Sequence, residues 1–370
     1  MNRPSRGSML AELLKPKAPI GDKEGLADIF RRIKDGTVIP FVGNGLRNDR
    51  IFEWWFDAEM VDKQDGDEPK LSVDESLSLV WADYLEYPLV DTTNLARVAL
   101  YNRVRSKDDE EAKVNYLQFL KRILLLAAKT DDQVKDQVPG LEQQINQRTF
   151  SDLVEELDYP HFPPDKDDPL RCLARMPLPI YLTTSYYDFL ERALEVENRP
   201  PRTQICFWAG EPVNLEPEHQ TQHDMEPTVN NPVVFHMFGW ERYPATLVLS
   251  EGDYLDFLLR TTQDTDTRNP IIPLYLRAAI KASSLILMGY RLQDWDFKVL
   301  FRLIRESPLR PYSLLVQLSP DQIARNLKSS EARQYLEDYF RGIFTIRWSE
   351  TEDFVYQLCA EYTKWTQGEL

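Results

Sequence analysis

The sequence is short of the residues that staple small folds or hold metals. It has 3 cysteines in 370 residues, Cys172, Cys206 and Cys359, none of them in a Cys-x-x-Cys pair. That argues against a zinc ribbon and against a disulfide scaffold, and it points to a reducing compartment. The thiols read as small buried hydrophobes. Histidine is as scarce, with 4 in the chain. His161, His219 and His223 fall in expected loops without metal-ligand spacing, so no metal site is expected. No apolar run reaches membrane-spanning length. Residues 1–8 are basic and Ser-rich but lead into no signal-peptide apolar stretch, so a cytoplasmic protein with a disordered start over 1–20 is expected. Positive charge is also in deficit: 44 Lys and Arg against 60 Asp and Glu give a net charge of −16. Direct nucleic-acid binding is not expected of so acidic a chain, although a local basic groove or a cationic partner surface stays open.

What is present is a globular composition and an alternation of short apolar runs with helical patterns. The length suits one large or two medium domains. Strands are expected at 180–183, 204–208, 233–236, 246–249, 284–288, 312–318 and 343–347, besides the run Val38-Ile39-Pro40-Phe41-Val42. Helices are expected at 25–34, 187–197, 251–262, 271–281, 294–306, 320–339 and 352–365. Such alternation means βαβ units around a doubly wound parallel sheet. Residues 46–150 read as a large helical insertion within a domain spanning 21–370. In it, Ser72-Val73-Asp74-Glu75 is a capping box, and the helix 109–128 ends in Ile123-Leu124-Leu125-Leu126. That run must be buried, either in the core or between subunits, which makes self-association an expectation. Ser319-Pro320-Asp321-Gln322 reads as a further helix start. The stretches 158–169 and 198–232 read as long loops.

Four segments carry the chemistry. The first strand ends in Gly43-Asn44-Gly45-Leu46-Arg47, where the absence of a Cβ lets backbone approach a phosphate closely. Asn48 stands where the third glycine of the dinucleotide fingerprint would fall. A second strand ends in Thr183-Thr184-Ser185-Tyr186-Tyr187-Asp188, hydroxyls placed where open α/β sheets bind ligands. A third delivers His236 into Phe235-His236-Met237-Phe238-Gly239, a position that taken alone favours a satisfied core histidine. A fourth runs into Gly289-Tyr290-Arg291-Leu292-Gln293-Asp294-Trp295-Asp296, whose acids suit a helix N-terminus or a ribose hydroxyl.

In this order the four segments resemble the sirtuin-like family of NAD-consuming domains, in the zinc-free bacterial branch, over roughly residues 25–305. The resemblance implies a Rossmann-like fold and NAD as substrate, without a metal. It also implies NAD hydrolysis in anti-phage defence (abortive infection by NAD depletion), beside a partner motor ATPase or nucleic-acid-sensing protein. It places Gly43, Asn44, Gly45, Leu46, Arg47, Thr183, Thr184, Asp188, Gly289, Tyr290 and Asp294 around the nucleotide. Ser185 stands where the family has Asn, Tyr187 where it has the first Asp, and Phe238 directly before the glycine, where zinc-dependent members have His.

The expected chemistry is cleavage of the nicotinamide–ribose bond. His236 is expected as general base, since an ordinary histidine is largely neutral near pH 7, and Ser185 or the Asn44 amide as the group that places the water. The alternative is an NAD or ADP-ribose-binding module, weakened catalytically by the Ser185 and Tyr187 changes. Protein deacetylation ranks below both, for want of the zinc ribbon.

Overall fold

The computed structural model describes residues 22–60, 71–163, 166–212, 214–219, 226–264, 270–305, 312–318 and 329–368. The expected disordered start and the Ser319-Pro320-Asp321-Gln322 helix start lie outside these residues.

Seven strands form one sheet: β1 (Val38–Val42), β2 (Ile180–Thr183), β3 (Arg202–Ile205), β4 (Val233–His236), β5 (Ser284–Met288), β6 (Leu314–Gln317) and β7 (Thr345–Trp348). Every pairing is parallel, in the order β3-β4-β2-β1-β5-β6-β7. The strands β1, β2, β4, β5 and β6 are buried at every position, as befits a sheet covered on both faces. The chain is α/β and Rossmann-like. From β1 it builds outward to one side, then crosses back to place β5 on the other side of β1. The carboxyl ends of β1 and β5 therefore flank the topological switch point, where open α/β sheets take their ligands. Register sets a row there: Val42 pairs with Thr183 and Met288, and Thr183 with His236.

Helix α1 (Asp22–Lys34) precedes β1. Between β1 and β2 the chain is helical: α2 (Asn48–Met60), α3 (Val73–Tyr84), α4 (Leu95–Arg105), α5 (Asp109–Ala128), α6 (Val138–Gln144), α7 (Phe150–Glu156) and α8 (Pro169–Ala174). These helices run on past 150. The capping box forms as read: the Glu75 N–H donates to Ser72 Oγ at 3.0 Å and the Ser72 N–H to Glu75 Oε2 at 2.8 Å. In α5, Ile123, Leu124 and Leu125 are buried in the chain's own core, and Leu126 alone of the run is exposed. The core accounts for the run, so it carries no argument for self-association. Helix α9 (Phe189–Val196) follows β2, with Asp188 rather than Ser185 at its N-cap. The remaining helices among the described residues are α10 (Glu251–Gln263), α11 (Leu274–Ala282), α12 (Trp295–Arg305), α13 (Ser329–Phe340) and α14 (Thr351–Gln367).

Two strand expectations are corrected. Residues 246–249 form no strand. Pro244–Thr246 is a 3₁₀ turn, and Leu247, Val248 and Leu249 run buried past the end of β4. There the Val248 N–H donates to the Phe238 carbonyl and its own carbonyl accepts from Tyr186 Oη at 2.5 Å. The segment is apolar because it plugs the sheet end. The edge strand β3 begins at Arg202, earlier than the apolar run at 204–208 implied, because an outermost strand tolerates the polar pair Arg202-Thr203.

Candidate active site at the strand ends

The loop after β1 meets the loop after β5, not open space. The Gly43 N–H donates to the Met288 carbonyl at 2.9 Å, and the Gly45 N–H to the Gly289 carbonyl at 3.0 Å. A Cβ on Gly43 would stand 2.5 Å from the Gly289 oxygen, and one on Gly45 3.1 Å from it. Gly289 itself has a positive φ of 75°. The glycines thus serve close packing of two strand-end loops. Their two N–H groups are already donated, which corrects the expectation that they cradle a pyrophosphate.

Arg47 also points away from any nucleotide. It pairs with Asp168 at 2.8 Å, donates to the Tyr159 carbonyl at 3.1 Å, and lies 4.6 Å from the Phe189 ring centroid. Leu46 is fully buried. Asn44 and Ser185 meet through Asn48, whose Nδ2 donates to Asn44 Oδ1 at 2.7 Å and to Ser185 Oγ at 3.2 Å. Asn48 attracted notice in the sequence only as a missing glycine. Thr183 is structural: its hydroxyl donates to the Val42 carbonyl at 2.9 Å and accepts from the Ser185 N–H at 3.0 Å. Tyr187, where the family has Asp, packs its ring 4.7 Å from that of Phe150 in α7.

Over the switch point opens a cleft of about 300 Å³. Asn44 after β1, Thr184 and Tyr186 after β2, Phe238 after β4, and Asp294 and Asp296 after β5 line it. Helices α2 and α3 supply the opposite wall, with Asp49 and Asp74. Thr184 donates to Tyr290 Oη at 3.2 Å. The cleft is strongly acidic. Burial, and then the charges of Asp296, Asp74 and Asp49, push Asp294 up to about 8 against the pull of Arg291. Burial first and the neighbouring carboxylates next push Asp296 to about 7. Asp49 and Asp74 are raised for the same reason, and Arg291 lies 3.3 Å from Asp49. Such a cluster holds both protonated and ionised carboxyls near neutral pH. The sequence flagged Asp294 and Asp296. It gave no sign of Asp49, and Asp74 read only as part of a helix start.

His236 lies elsewhere. Its ring is fully buried and is not among the residues lining the cleft. Nδ1 is 3.0 Å from the Ser185 carbonyl oxygen and Nε2 is 2.8 Å from Glu191 Oε1. Both partners are acceptors, so both nitrogens donate and the ring is held as an imidazolium. Burial alone lowers its pKa, but the Glu191 carboxylate and the Ser185 carbonyl raise it above the ordinary value. A doubly engaged imidazolium has no nitrogen with which to accept a proton, so the expected base is out of place. Asp188 also faces away from the cleft: its carboxylate accepts from Arg192 Nε at 2.6 Å and from Arg242 at 3.2 Å. Burial and the nearby Glu191 raise it to about 6. The structure therefore gathers Asn44, Thr184 and Asp294 on one cleft and sets Gly43, Gly45, Leu46, Arg47, Thr183, Ser185, Asp188, Gly289, Tyr290 and His236 behind or beside it.

Among the described residues, no group of His, Cys, Asp and Glu is arranged to hold a metal ion. Nor is any helix there long and apolar enough to cross a membrane. No curated protein matches the chain. Residues 179–342, the stretch that contains β2 to β6 and three of the four strand-end motifs, match the family model of the SIR2-like domain, so the chain carries a SIR2-like domain, a kind that uses NAD.

Proposed function

We propose that this chain is an NAD glycohydrolase: NAD and water give nicotinamide, ADP-ribose and a proton. One observation carries the reading. The ends of four strands and five helices of the β1–β2 connection converge on a single cleft at the switch point, and its chargeable lining is almost wholly carboxylate.

Breaking the nicotinamide–ribose bond builds positive charge at the ribose C1′ carbon. Fixed negative charge in a water-poor cleft stabilises that state more than the ground state. The ionised members of the cluster formed by Asp49, Asp74, Asp294 and Asp296 supply it. An ionised member of the Asp294–Asp296 pair takes the proton of the attacking water, a task suited to a group titrating near neutrality. Thr184 and Asn44 orient the sugar and the water. Since the Gly43 and Gly45 N–H groups are engaged, the pyrophosphate falls to Lys298, the one basic residue among the described residues lining the cleft. His236 acts as a positioning residue, fixing the Ser185 carbonyl and with it the turn that presents Thr184. The resemblance to the zinc-free defence branch extends the proposal to NAD depletion during phage infection, with self-association and a partner ATPase or nucleic-acid sensor as trigger.

A second reading is a binding module without turnover. It is favoured by Ser185, whose hydroxyl is turned to Asn48 and does not line the cleft. Incubating the pure chain with NAD separates the two readings. Release of free nicotinamide supports hydrolysis; saturable NAD binding without release supports the module.

A further inference from the structure

The turn from Thr184 to Asp188 borders two clefts. Thr184 lines the one already described, while Asp188 lines a second, of about 660 Å³, within the usual size of small-ligand sites. Its walls come from α9, the outermost strand β3 and the loop carrying Trp240.

Two polar atoms of this lining have no hydrogen-bond partner among the described residues: Oε2 of Glu191 and Nε1 of Trp240. Their residues are only 6% and 4% exposed. Buried polar atoms are nearly always paired, so two unpaired ones on the wall of one cleft point to a ligand. The other carboxylate oxygen of Glu191 is fully used, accepting from His236 Nε2 at 2.8 Å and from the Thr203 hydroxyl at 3.0 Å. Oε2 can only accept, and an indole N–H can only donate. A fitting ligand therefore offers one donor and one acceptor. Charge narrows the choice. Arg192 and Arg242 are committed to Asp188. Along the exposed rim Glu195, Glu216 and Glu218 outnumber Arg202. The field in the cleft is negative and repels phosphate or carboxylate ligands.

We propose that this second cleft binds an organic cation whose guanidinium or ammonium group donates to Glu191 and whose neighbouring carbonyl accepts from the Trp240 indole. Arginine or lysine chemistry has both groups, whether as a free amide or within a peptide.

The test is calorimetry on the full chain with three probes: Nα-acetyl-arginine amide, its neutral isostere Nα-acetyl-citrulline amide, and a blocked Gly-Arg-Gly peptide. The acetylated arginine amide or the Arg peptide should bind saturably, with the acetylated citrulline amide at least about tenfold weaker, since a charge-assisted hydrogen bond is lost. Binding of the acetylated arginine amide assigns a small-molecule site. Binding of the peptide alone assigns a side chain of a partner. Glu191→Gln should weaken binding roughly tenfold. Because that variant also leaves the His236 charge unpaired, Trp240→Phe gives an independent check: it keeps the ring, loses the N–H, and should weaken binding by roughly threefold or more. Equal affinity for arginine and citrulline amides, or no binding by any probe, would overturn the proposal.

Discussion

His236 Nδ1 and the Ser185 carbonyl oxygen stand 3.0 Å apart, and this contact ties the last residue of β4 to the turn that follows β2. With Glu191 on the other nitrogen, the ring is a clasp between two strand ends and a helix. Removing it strands a buried carboxylate. His236→Ala should lower stability by about 3–5 kcal/mol, the usual loss when one partner of a buried pair is deleted. It should also reduce NAD turnover by displacing Thr184. Adding Glu191→Ala should restore part of the stability, which chemical denaturation of the double-mutant cycle would detect. Strict additivity, or a loss below about 1 kcal/mol for His236→Ala, would refute the clasp.

The glycines of the first loop make a prediction about packing. Gly43→Ala should destabilise the chain by about 1–3 kcal/mol, because the new methyl group meets the Gly289 carbonyl. Gly45→Ala should be milder, since its clearance is larger. Thermal melts of the two variants would check the order. If Gly45→Ala proves the worse, or if both melt like wild type and lose only NAD affinity, the loop is a phosphate cradle after all.

Stability should fall as pH rises through neutrality. Asp294 and Asp296, raised to about 8 and about 7, keep their protons in the folded chain. An unfolded chain loses them near the ordinary ~3.9. The folded state thus holds more protons between these values, and stability declines as pH climbs from about 4 towards 8. The raised His236 adds in the same direction: its contribution is complete below an unfolded pKa of ~6.5 and is lost as pH rises through its folded value. Melting points should drop between about pH 6 and pH 8, and Asp294→Asn should flatten the slope. A melting point that rises over this range would contradict the acidic cluster.

Much of this was legible in the sequence, and the exceptions have physical causes. Strands β1, β2, β4 and β5 are continuous apolar runs because they are buried on both faces, so their strand ends could be read directly. The segment 246–249 has the same texture but is buried as a plug, a distinction periodicity cannot make. Gly43 and Gly45 were recognisable as close-approach glycines, yet the sequence could not say that the close neighbour is Gly289 and not a phosphate. His236 was conspicuous, but its partner Glu191 lies in the first turn of α9, where an acid reads as an ordinary helix-start charge. Asp49 and Asp74 reach the cleft from helices of the β1–β2 connection, a long-range meeting that only the fold reveals.

Lys298, exposed at the rim of the cleft, makes a kinetic prediction. Lys298→Ala should raise KM for NAD by roughly 2–5-fold with little change in kcat, the pattern of an exposed charge that binds ground and transition states alike. Its effect should shrink with added salt. A fall in kcat with KM unchanged would move Lys298 from binding into the chemical step.

The central claim is that the acidic cleft at the ends of β1, β2 and β5 cleaves NAD, and single-turnover release of nicotinamide tests it most directly. Wild type should release nicotinamide and ADP-ribose. Asp294→Asn and Asp296→Asn should each slow release by about 10²-fold or more, while remaining folded and still binding NAD. Ser185→Ala, altered outside the cleft lining, should slow it far less. Wild-type rates from both aspartate variants, or NAD bound by wild type without any release, would contradict the account.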